Sequence, residues 1–135
     1  MIDANQSLDL AKAMSLAEAA VDMNIRCFED PIHHQHYDGY QILKQKTGIA
    51  LTMGERKFDT LPLRELSKMN AIDYWQPDLL RIGAVGKWRK SAVLADSFHT
   101  RVLPHYYKNY DASLLQKLRC LTIMHYTKWY RSGVF

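Results

Sequence analysis

Five acidic or basic side chains recur at nearly regular intervals along the chain: Asp3, Glu29, Glu55, Asp78 and His105. The steps between them are 26, 26, 23 and 27 residues, and each one follows a short apolar run and precedes a loop. Three carboxylates supply the hard oxygen ligands that suit Mg²⁺, whereas zinc prefers His and Cys. An Asp and a His suit proton transfer, because a carboxylate behind an imidazole fixes its tautomer and raises its basicity. The pattern predicts a metal site beside a proton-transfer pair.

The segments that must position these residues alternate between strand and helix patterns. Predicted strands cover Met1–Ile2, Ile25–Glu29, Ile49–Met53, Ile72–Gln76, Arg101–Pro104 and Met124–Trp129. The first predicted helix begins at Ser7, with Ser7 or Asp9 as its N-cap. The second covers Tyr37–Lys46 and ends at Thr47-Gly48. The other predicted helices cover Leu61–Met69, Gly86–Phe98 and Ala112–Leu121. This alternation predicts parallel strands joined by right-handed crossovers.

The regular pitch is what a barrel of repeated strand–helix units produces when each strand places one functional side chain at its C-terminal tip. The sequence shows about six strands in 135 residues, whereas a closed eight-stranded barrel needs roughly 250 residues. The predicted fold is therefore α/β, a partial TIM-type (β/α)8 barrel. Residues 1–135 are expected to form one domain, with no linker between parts.

Composition excludes several classes of function. Charged residues make up 24% of the chain and hydrophobic residues 47%, values that are typical of a globular domain. The net charge of +4 comes from scattered basic residues, which argues against a nucleic-acid surface. No run approaches the roughly 20 apolar residues of a membrane helix. No signal peptide is recognised, and Cys27 and Cys120 are interpreted as buried free thiols, so a cytoplasmic location is expected.

Several short motifs resemble those of one known family. Asp3-Ala4-Asn5, Phe28-Glu29-Asp30-Pro31, Gly54-Glu55, Gln76-Pro77-Asp78 and Pro104-His105 resemble the enolase superfamily, on the side of mandelate racemase and muconate lactonizing enzyme. Tyr37–Tyr40 and Leu80–Trp88 resemble further segments of that family. The resemblance covers nearly the whole chain and keeps the order and spacing of the motifs. It implies roughly strands 3 to 8 of the C-terminal barrel domain, without the N-terminal capping domain and the first two strands.

The resemblance also implies roles for individual residues. Asp3, Glu29 and Glu55 would bind Mg²⁺, which holds the substrate carboxylate and stabilises the enediolate formed when the α-proton leaves. His105 and Asp78 would form a His–Asp dyad that exchanges or delivers a proton. Asn5 and Asp30 would orient the metal ligands.

Within the superfamily we favour an acid-sugar dehydratase, whose substrate is a small carboxylate. The alternatives are a racemase or epimerase similar to mandelate racemase, and a truncated, non-catalytic barrel fragment. A lyase activity is expected of the full-length parent enzyme, whereas the activity of this chain alone and its homo-oligomerisation stay open.

The sequence departs from the family pattern in three places. Gly54-Glu55-Arg56 stands where Gly-Glu-Asn is common, and we expect Arg56 to turn toward substrate or solvent. The family's Lys-x-Lys base would precede Met1. Lys128 stands near the position of an acid that binds the substrate carboxylate, and we interpret it as a solvated lysine. Three histidines, His33, His34 and His36, lie close to one another in the sequence. We interpret them as part of a solvated or substrate-facing loop rather than as a second metal site.

Overall fold

The computed structural model of the protein describes residues 1–105. The helix predicted at Ala112–Leu121, the strand predicted at Met124–Trp129, and the residues Cys120 and Lys128 lie outside this part of the chain. The account of the fold and the site below concerns residues 1–105.

Strands and helices alternate throughout the described residues, as the sequence predicts. The strands are β1 (Ile2–Asp3), β2 (Cys27–Glu29), β3 (Ala50–Met53), β4 (Tyr74–Trp75) and β5 (Arg101–Val102). The helices are α1 (Leu10–Asp22), α2 (Tyr37–Thr47), α3 (Leu61–Lys68) and α4 (Val85–Ser97).

The strands form one parallel sheet whose spatial order, β1-β2-β3-β4-β5, is also their order in the chain. A doubly wound sheet would reverse its strand order at a switch point. Here every crossover advances one strand in the same direction, and right-handed crossovers then carry all helices to one face, as in a (β/α) barrel. Within residues 1–105, β1 does not pair with β5, so the sheet is open. The predicted α/β fold, part of a TIM-type barrel, is confirmed.

Two helix ends follow the predicted capping residues. The side chain of Asp9 accepts a hydrogen bond from the backbone N–H of Lys12 at 2.8 Å, so Asp9 rather than Ser7 is the N-cap of α1. At the end of α2, Gly48 has a φ of 70°, and its N–H donates to the Lys44 carbonyl. Glycine adopts this left-handed conformation without the steric cost that a Cβ atom adds.

Strands β4 and β5 are shorter than predicted. At the start of β4, the side chain of Asp73 accepts a hydrogen bond from the N–H of Leu51 at 2.9 Å, so a carboxylate replaces part of the backbone ladder. After β5, the N–H of Leu103 donates to the Trp75 carbonyl at 2.8 Å. The next residue, Pro104, has no N–H to continue the pairing.

The core lies between the sheet and the helices, and its largest fully buried side chains include Trp75, Phe28, Leu43 and Leu51. Trp75 and Trp88 are both buried. On α1, the buried residues Ala13, Ala17 and Ala20 recur at helical spacing and form one apolar face of small side chains.

Cys27 is a buried free thiol, as predicted. Burial raises its pKa to about 12, with further contributions from the negative charges of Asp73 and Glu29. None of the helices among residues 1–105 is long and apolar enough to cross a membrane.

Candidate metal and proton-transfer site

The five predicted site residues lie at the carboxyl edge of the sheet, and we call this group the carboxyl rim: Asp3, Glu29, Glu55, Asp78 and His105. Asp3 and Glu29 are the last residues of β1 and β2 and are partners in the parallel register. Glu55 follows β3 in the β3–α3 loop, and Asp78 and His105 follow β4 and β5. Asp78 and His105 also form an isolated parallel bridge, which aligns their side chains.

Backbone hydrogen bonds join neighbouring strand tips at this edge. The N–H of Ala4 donates to the Glu29 carbonyl at 3.1 Å, and the N–H of Asp30 donates to the Thr52 carbonyl at 3.0 Å. The N–H of Gln76 likewise donates to the Met53 carbonyl at 2.9 Å. These hydrogen bonds continue the pairing of the sheet beyond the strand ends. The sheet therefore holds the backbone that carries the carboxyl rim.

Gly54 directs the chain from β3 to Glu55. Its φ is 145°, and a Cβ atom there would lie 2.8–2.9 Å from backbone atoms of Gln76. Backbone atoms cannot move aside as the end of a flexible side chain can, so this position requires glycine. The Gly54-Glu55 motif is therefore a structural requirement for placing the Glu55 carboxylate.

His105 lies between two carboxylates. Its Nδ1 is 2.9 Å from Oδ2 of Asp78, and its Nε2 is 3.0 Å from Oε2 of Glu55. The contact with Asp78 is a hydrogen bond, in which Nδ1 donates to the carboxylate oxygen. The structure thus brings the predicted dyad into contact and adds Glu55 as a second partner of the histidine.

Asp78 is held firmly behind this imidazole. It is 1% exposed, and its Oδ1 accepts hydrogen bonds from the backbone N–H groups of Leu80 and Arg81 at 2.9 and 2.8 Å. These two bonds fix the carboxylate plane and leave Oδ2 for His105. The turn after β4 therefore orients the histidine through Asp78.

The Glu55 carboxylate is also contacted by two arginines. Nε of Arg56 lies 3.2 Å from Oε1, and Nη1 of Arg81 lies 3.7 Å from the same oxygen. Nη1 of Arg81 also donates to the Glu55 carbonyl at 3.1 Å. Arg56 is exposed to solvent, as expected, and its guanidinium also pairs with the adjacent carboxylate. Arg81 appears in the sequence analysis only within the Leu80–Trp88 segment and was given no role there.

Asp3 and Glu29 occupy different environments. Asp3 is exposed, and its Oδ1 accepts a hydrogen bond from the N–H of Asn5 at 2.8 Å. Glu29 is 8% exposed. Burial raises the pKa of Glu29, the negative charge of Asp3 adds to this, and a hydrogen bond from Gln76 opposes it. The two carboxylates are thus close enough to repel each other.

Three carboxylates on adjacent strand tips provide the donor set that Mg²⁺ prefers. The raised pKa of Glu29, to which both Asp3 and Glu55 contribute, indicates concentrated negative charge that a cation would relieve. Among residues 1–105, however, no three His, Cys, Asp or Glu side chains converge closely enough to hold a metal ion. Glu55 is directed to His105 and the arginines instead. The donor chemistry fits Mg²⁺, and the assignment of these ligands stays a prediction.

Asp30, predicted to orient a ligand, lies behind the carboxyl rim and is 1% exposed. The Tyr40 hydroxyl lies 3.3 Å from its Oδ1 and also donates to the Ile32 carbonyl at 3.0 Å. Burial raises the pKa of Asp30 to about 7, and the negative charges of Glu55 and Glu29 act in the same direction. Asp30 therefore keeps its proton to a higher pH than an exposed carboxyl does.

This pKa predicts a pH dependence of stability. From the ordinary value of 3.8 up to about 7, the folded protein keeps the Asp30 proton that the unfolded chain has lost. The free energy of unfolding contributed by this group is therefore full below that range and decreases as pH rises through it. We expect Asp30→Asn to remove this decrease, as measured by urea unfolding in EDTA across the range. Asp96→Asn, at an exposed position, is the control. If the free energy of unfolding of Asp30→Asn changed with pH as that of the wild type does, the prediction would be wrong.

The loop between β2 and α2 carries the neighbouring histidines. Nδ1 of His34 lies 2.9 Å from Oε1 of Gln6, and the rings of His33 and His34 are 4.5 Å apart. Lys57 is 5% exposed, and its Nζ donates to the His34 carbonyl at 2.6 Å and to the Tyr37 hydroxyl at 3.2 Å. Lys57 therefore fastens this loop to the β3–α3 loop. The sequence does not predict that Lys57 is buried, because lysine is ordinarily exposed.

Comparison with known proteins identifies the family. The family model described as enolase C-terminal domain-like matches residues 1–134. D-galactarolactone cycloisomerase from Agrobacterium fabrum is 30% identical over 105 residues, which are 78% of this chain and 28% of that protein. D-xylonate dehydratase from Haloferax volcanii is 30% identical over 103 residues, which are 76% of this chain and 25% of that protein. The chain thus spans about a quarter of the length of these relatives.

A solved structure shows the same relationship in three dimensions. L-talarate dehydratase from Polaromonas sp. JS666, crystallised with Mg and L-glucarate, has a TM-score of 0.73 and 27% sequence identity. The match covers 78% of this chain and 28% of that one. The resemblance to the enolase superfamily predicted from the sequence motifs is confirmed. The chain belongs to the enolase C-terminal domain-like family.

Proposed function

We propose that this chain supplies the metal-binding and proton-transfer residues of a Mg²⁺-dependent enzyme that removes the proton α to a substrate carboxylate, and that the reaction is dehydration of an acid sugar. The observation that carries the proposal is the position of His105, whose Nδ1 is hydrogen-bonded to Asp78 at 2.9 Å and whose Nε2 lies 3.0 Å from the Glu55 carboxylate, beside two further carboxylates. A proton donor and a cluster of oxygen ligands thus stand at one edge of the sheet.

Asp3, Glu29 and Glu55 would hold the metal. When bound, Mg²⁺ supplies the positive charge that stabilises an enediolate, as is known for enolase-superfamily sites. The presence of Mg in the structure of L-talarate dehydratase supports this choice of cation. The raised pKa of Glu29, with contributions from burial and from the other two carboxylates, supports it independently.

His105 would provide the acid. In a dehydration a base takes the α-proton, the role that the resemblance gives to the family's Lys-x-Lys motif. The electrons of the C–H bond form the new double bond, and the β-carbon–oxygen bond breaks. The departing oxygen takes a proton from Nε2 of His105 and leaves as water. Asp78 holds the other ring nitrogen at 2.9 Å and stabilises the ring in both protonation states.

Ring opening is a second candidate, favoured by the 30% identity to a cycloisomerase. The same elimination applied to a lactone breaks a carbon–oxygen bond inside the ring, so the product is an isomer and no water is lost. The two reactions therefore differ in product mass. Exchange of the α-proton without elimination would instead favour the racemase alternative.

The test combines metal binding with product analysis on the purified 135-residue chain. Calorimetry with MgCl₂ is expected to give one saturable site per chain. Incubation with L-talarate, D-xylonate or D-galactarolactone in D₂O is then followed by NMR and mass spectrometry, with EDTA as the control. Loss of water supports the dehydratase and an unchanged mass supports the cycloisomerase. Absence of both Mg²⁺ binding and α-proton exchange would reject the proposal and favour a non-catalytic barrel fragment.

A further inference from the structure

Arg56 joins the two outer strands of the predicted metal site. We propose that Arg56 is an internal counter-cation that competes with Mg²⁺ for the carboxylates of Asp3 and Glu55, and so sets the affinity of the site for metal. The inference rests on the proposed function and concerns how that same site is regulated. It assigns a role to the residue that departs from the family's Gly-Glu-Asn motif.

The contacts of Arg56 form a continuous chain across the site. Its Nε is 3.2 Å from Oε1 of Glu55, and its Nη2 donates to Oδ1 of Asn5 at 2.7 Å. The N–H of Asn5 in turn donates to Oδ1 of Asp3 at 2.8 Å. One guanidinium therefore links the carboxylate that follows β3 to the carboxylate that ends β1, with Glu29 on the strand between them.

The charge of Arg56 acts directly on this group of carboxylates. A guanidinium within hydrogen-bonding distance of Glu55 offsets part of the mutual repulsion of the three acids, which is the electrostatic role that a bound Mg²⁺ would fill. A divalent cation approaching the same oxygen meets the repulsion of that fixed positive charge. Metal and Arg56 therefore oppose each other at Glu55.

The position of Arg56 allows this exchange. Its side chain is 45% exposed, so the guanidinium can leave Glu55 for solvent without crossing packed residues. Arg81 differs, because its Nη1 also donates to the Glu55 carbonyl and lies farther from the carboxylate, at 3.7 Å. Arg56 is thus the contact that metal would displace, whereas Arg81 is tied to the backbone.

The test measures Mg²⁺ affinity by calorimetry in matched variants. Arg56→Gln removes the charge, and we expect its Kd for Mg²⁺ to be about fivefold or more lower than that of wild type, the lower end of typical coupling between sites. Arg56→Lys keeps the charge and is expected to stay closer to wild type. Asn5→Gly removes the second anchor but tolerates the positive φ of 43°, and should give intermediate tightening. Arg64→Gln removes an exposed arginine that lies on α3 and is the matched control.

A second readout does not require metal. In EDTA, Arg56→Gln is expected to lower the thermal midpoint relative to Arg64→Gln, because the carboxylates lose their counter-charge. In saturating Mg²⁺ that difference should shrink or reverse. A merely structural Arg56 would lower the midpoint equally in both conditions.

The outcomes separate this inference from the function on which it rests. If wild type binds Mg²⁺ and Arg56→Gln binds within about twofold of Arg64→Gln, the competition is overturned while the proposed metal site stands. If no variant binds Mg²⁺, the metal site is overturned and the competition with it. If Mg²⁺ binding is measurable for Arg56→Gln and for no other protein in the set, Arg56 excludes the metal from the wild-type site, which is the strongest support for the competition.

Discussion

Glu55→Gln is expected to abolish both Mg²⁺ binding and metal-dependent turnover. Glu55 is both a predicted metal ligand and a neighbour of His105, whose Nε2 lies 3.0 Å from its Oε2. Glutamine has nearly the same shape but no charge, so it removes the charge that Mg²⁺ requires. Its amide group would also present a donor to the cations that now surround the carboxylate. Calorimetry with MgCl₂ and NMR of substrate turnover measure the two losses.

Glu65→Gln provides the control for this change. Glu65 is exposed on α3, where its Oε1 lies 4.0 Å from Nε of Arg64, so its replacement removes the same charge outside the carboxyl rim. That variant is expected to keep wild-type Mg²⁺ binding. Unchanged turnover in Glu55→Gln would show that the ligand assignment is wrong.

Asp78→Asn is expected to reduce turnover by about 10²- to 10⁴-fold, the usual contribution of a positioned acid or base. The asparagine oxygen can still accept hydrogen bonds from the N–H groups of Leu80 and Arg81. Its NH₂ group, however, would face Nδ1 of His105 and require that nitrogen to accept. The proton of a neutral imidazole would then sit on Nε2, which inverts the tautomer, and no carboxylate would stabilise the doubly protonated ring that delivers a proton to the departing oxygen.

The measurement pairs kinetics with the state of the ring. Nitrogen-15 NMR of His105 is expected to report the change of tautomer, while the Mg²⁺ affinity stays within about twofold of wild type because Asp78 is not a predicted ligand. The exposed change Asp96→Asn controls for the loss of one carboxylate. Full activity with an inverted tautomer would remove His105 from the reaction, and lost Mg²⁺ binding would point to a collapsed edge instead.

The sequence predicted the placement of the carboxyl rim because that placement follows from repetition. One β–α unit has a nearly constant length, so acids spaced by one unit reach the same edge of a parallel sheet. The capping residues Asp9 and Gly48 were predictable for a similar reason, since each acts within its own turn. The spacing of the acids and the identity of the capping residues can both be read directly from the amino-acid sequence.

The partners of Glu55 could not be predicted in the same way. Arg56 is adjacent to it in sequence, but the direction of its side chain depends on Asn5, which is 51 residues away. Arg81 approaches from the loop after β4, and its contact depends on the path of that loop. The burial of Lys57 likewise follows from its fit against His34 and Tyr37. These features arise from tertiary packing, which residue type and spacing do not encode.

Each β–α unit follows its sequence neighbour across the sheet. Because of this strand order, metal binding would depend on all of these units being folded. Asp3, Glu29 and Glu55 each belong to a different β–α unit, so opening any one of those units removes a predicted ligand from the set. A cation that binds all three would therefore bind the native state and not the partly opened ones. By mass action such a cation stabilises the native state in proportion to RT ln(1 + [Mg²⁺]/Kd). The concentration of a simple ion would thus determine how often the sheet opens.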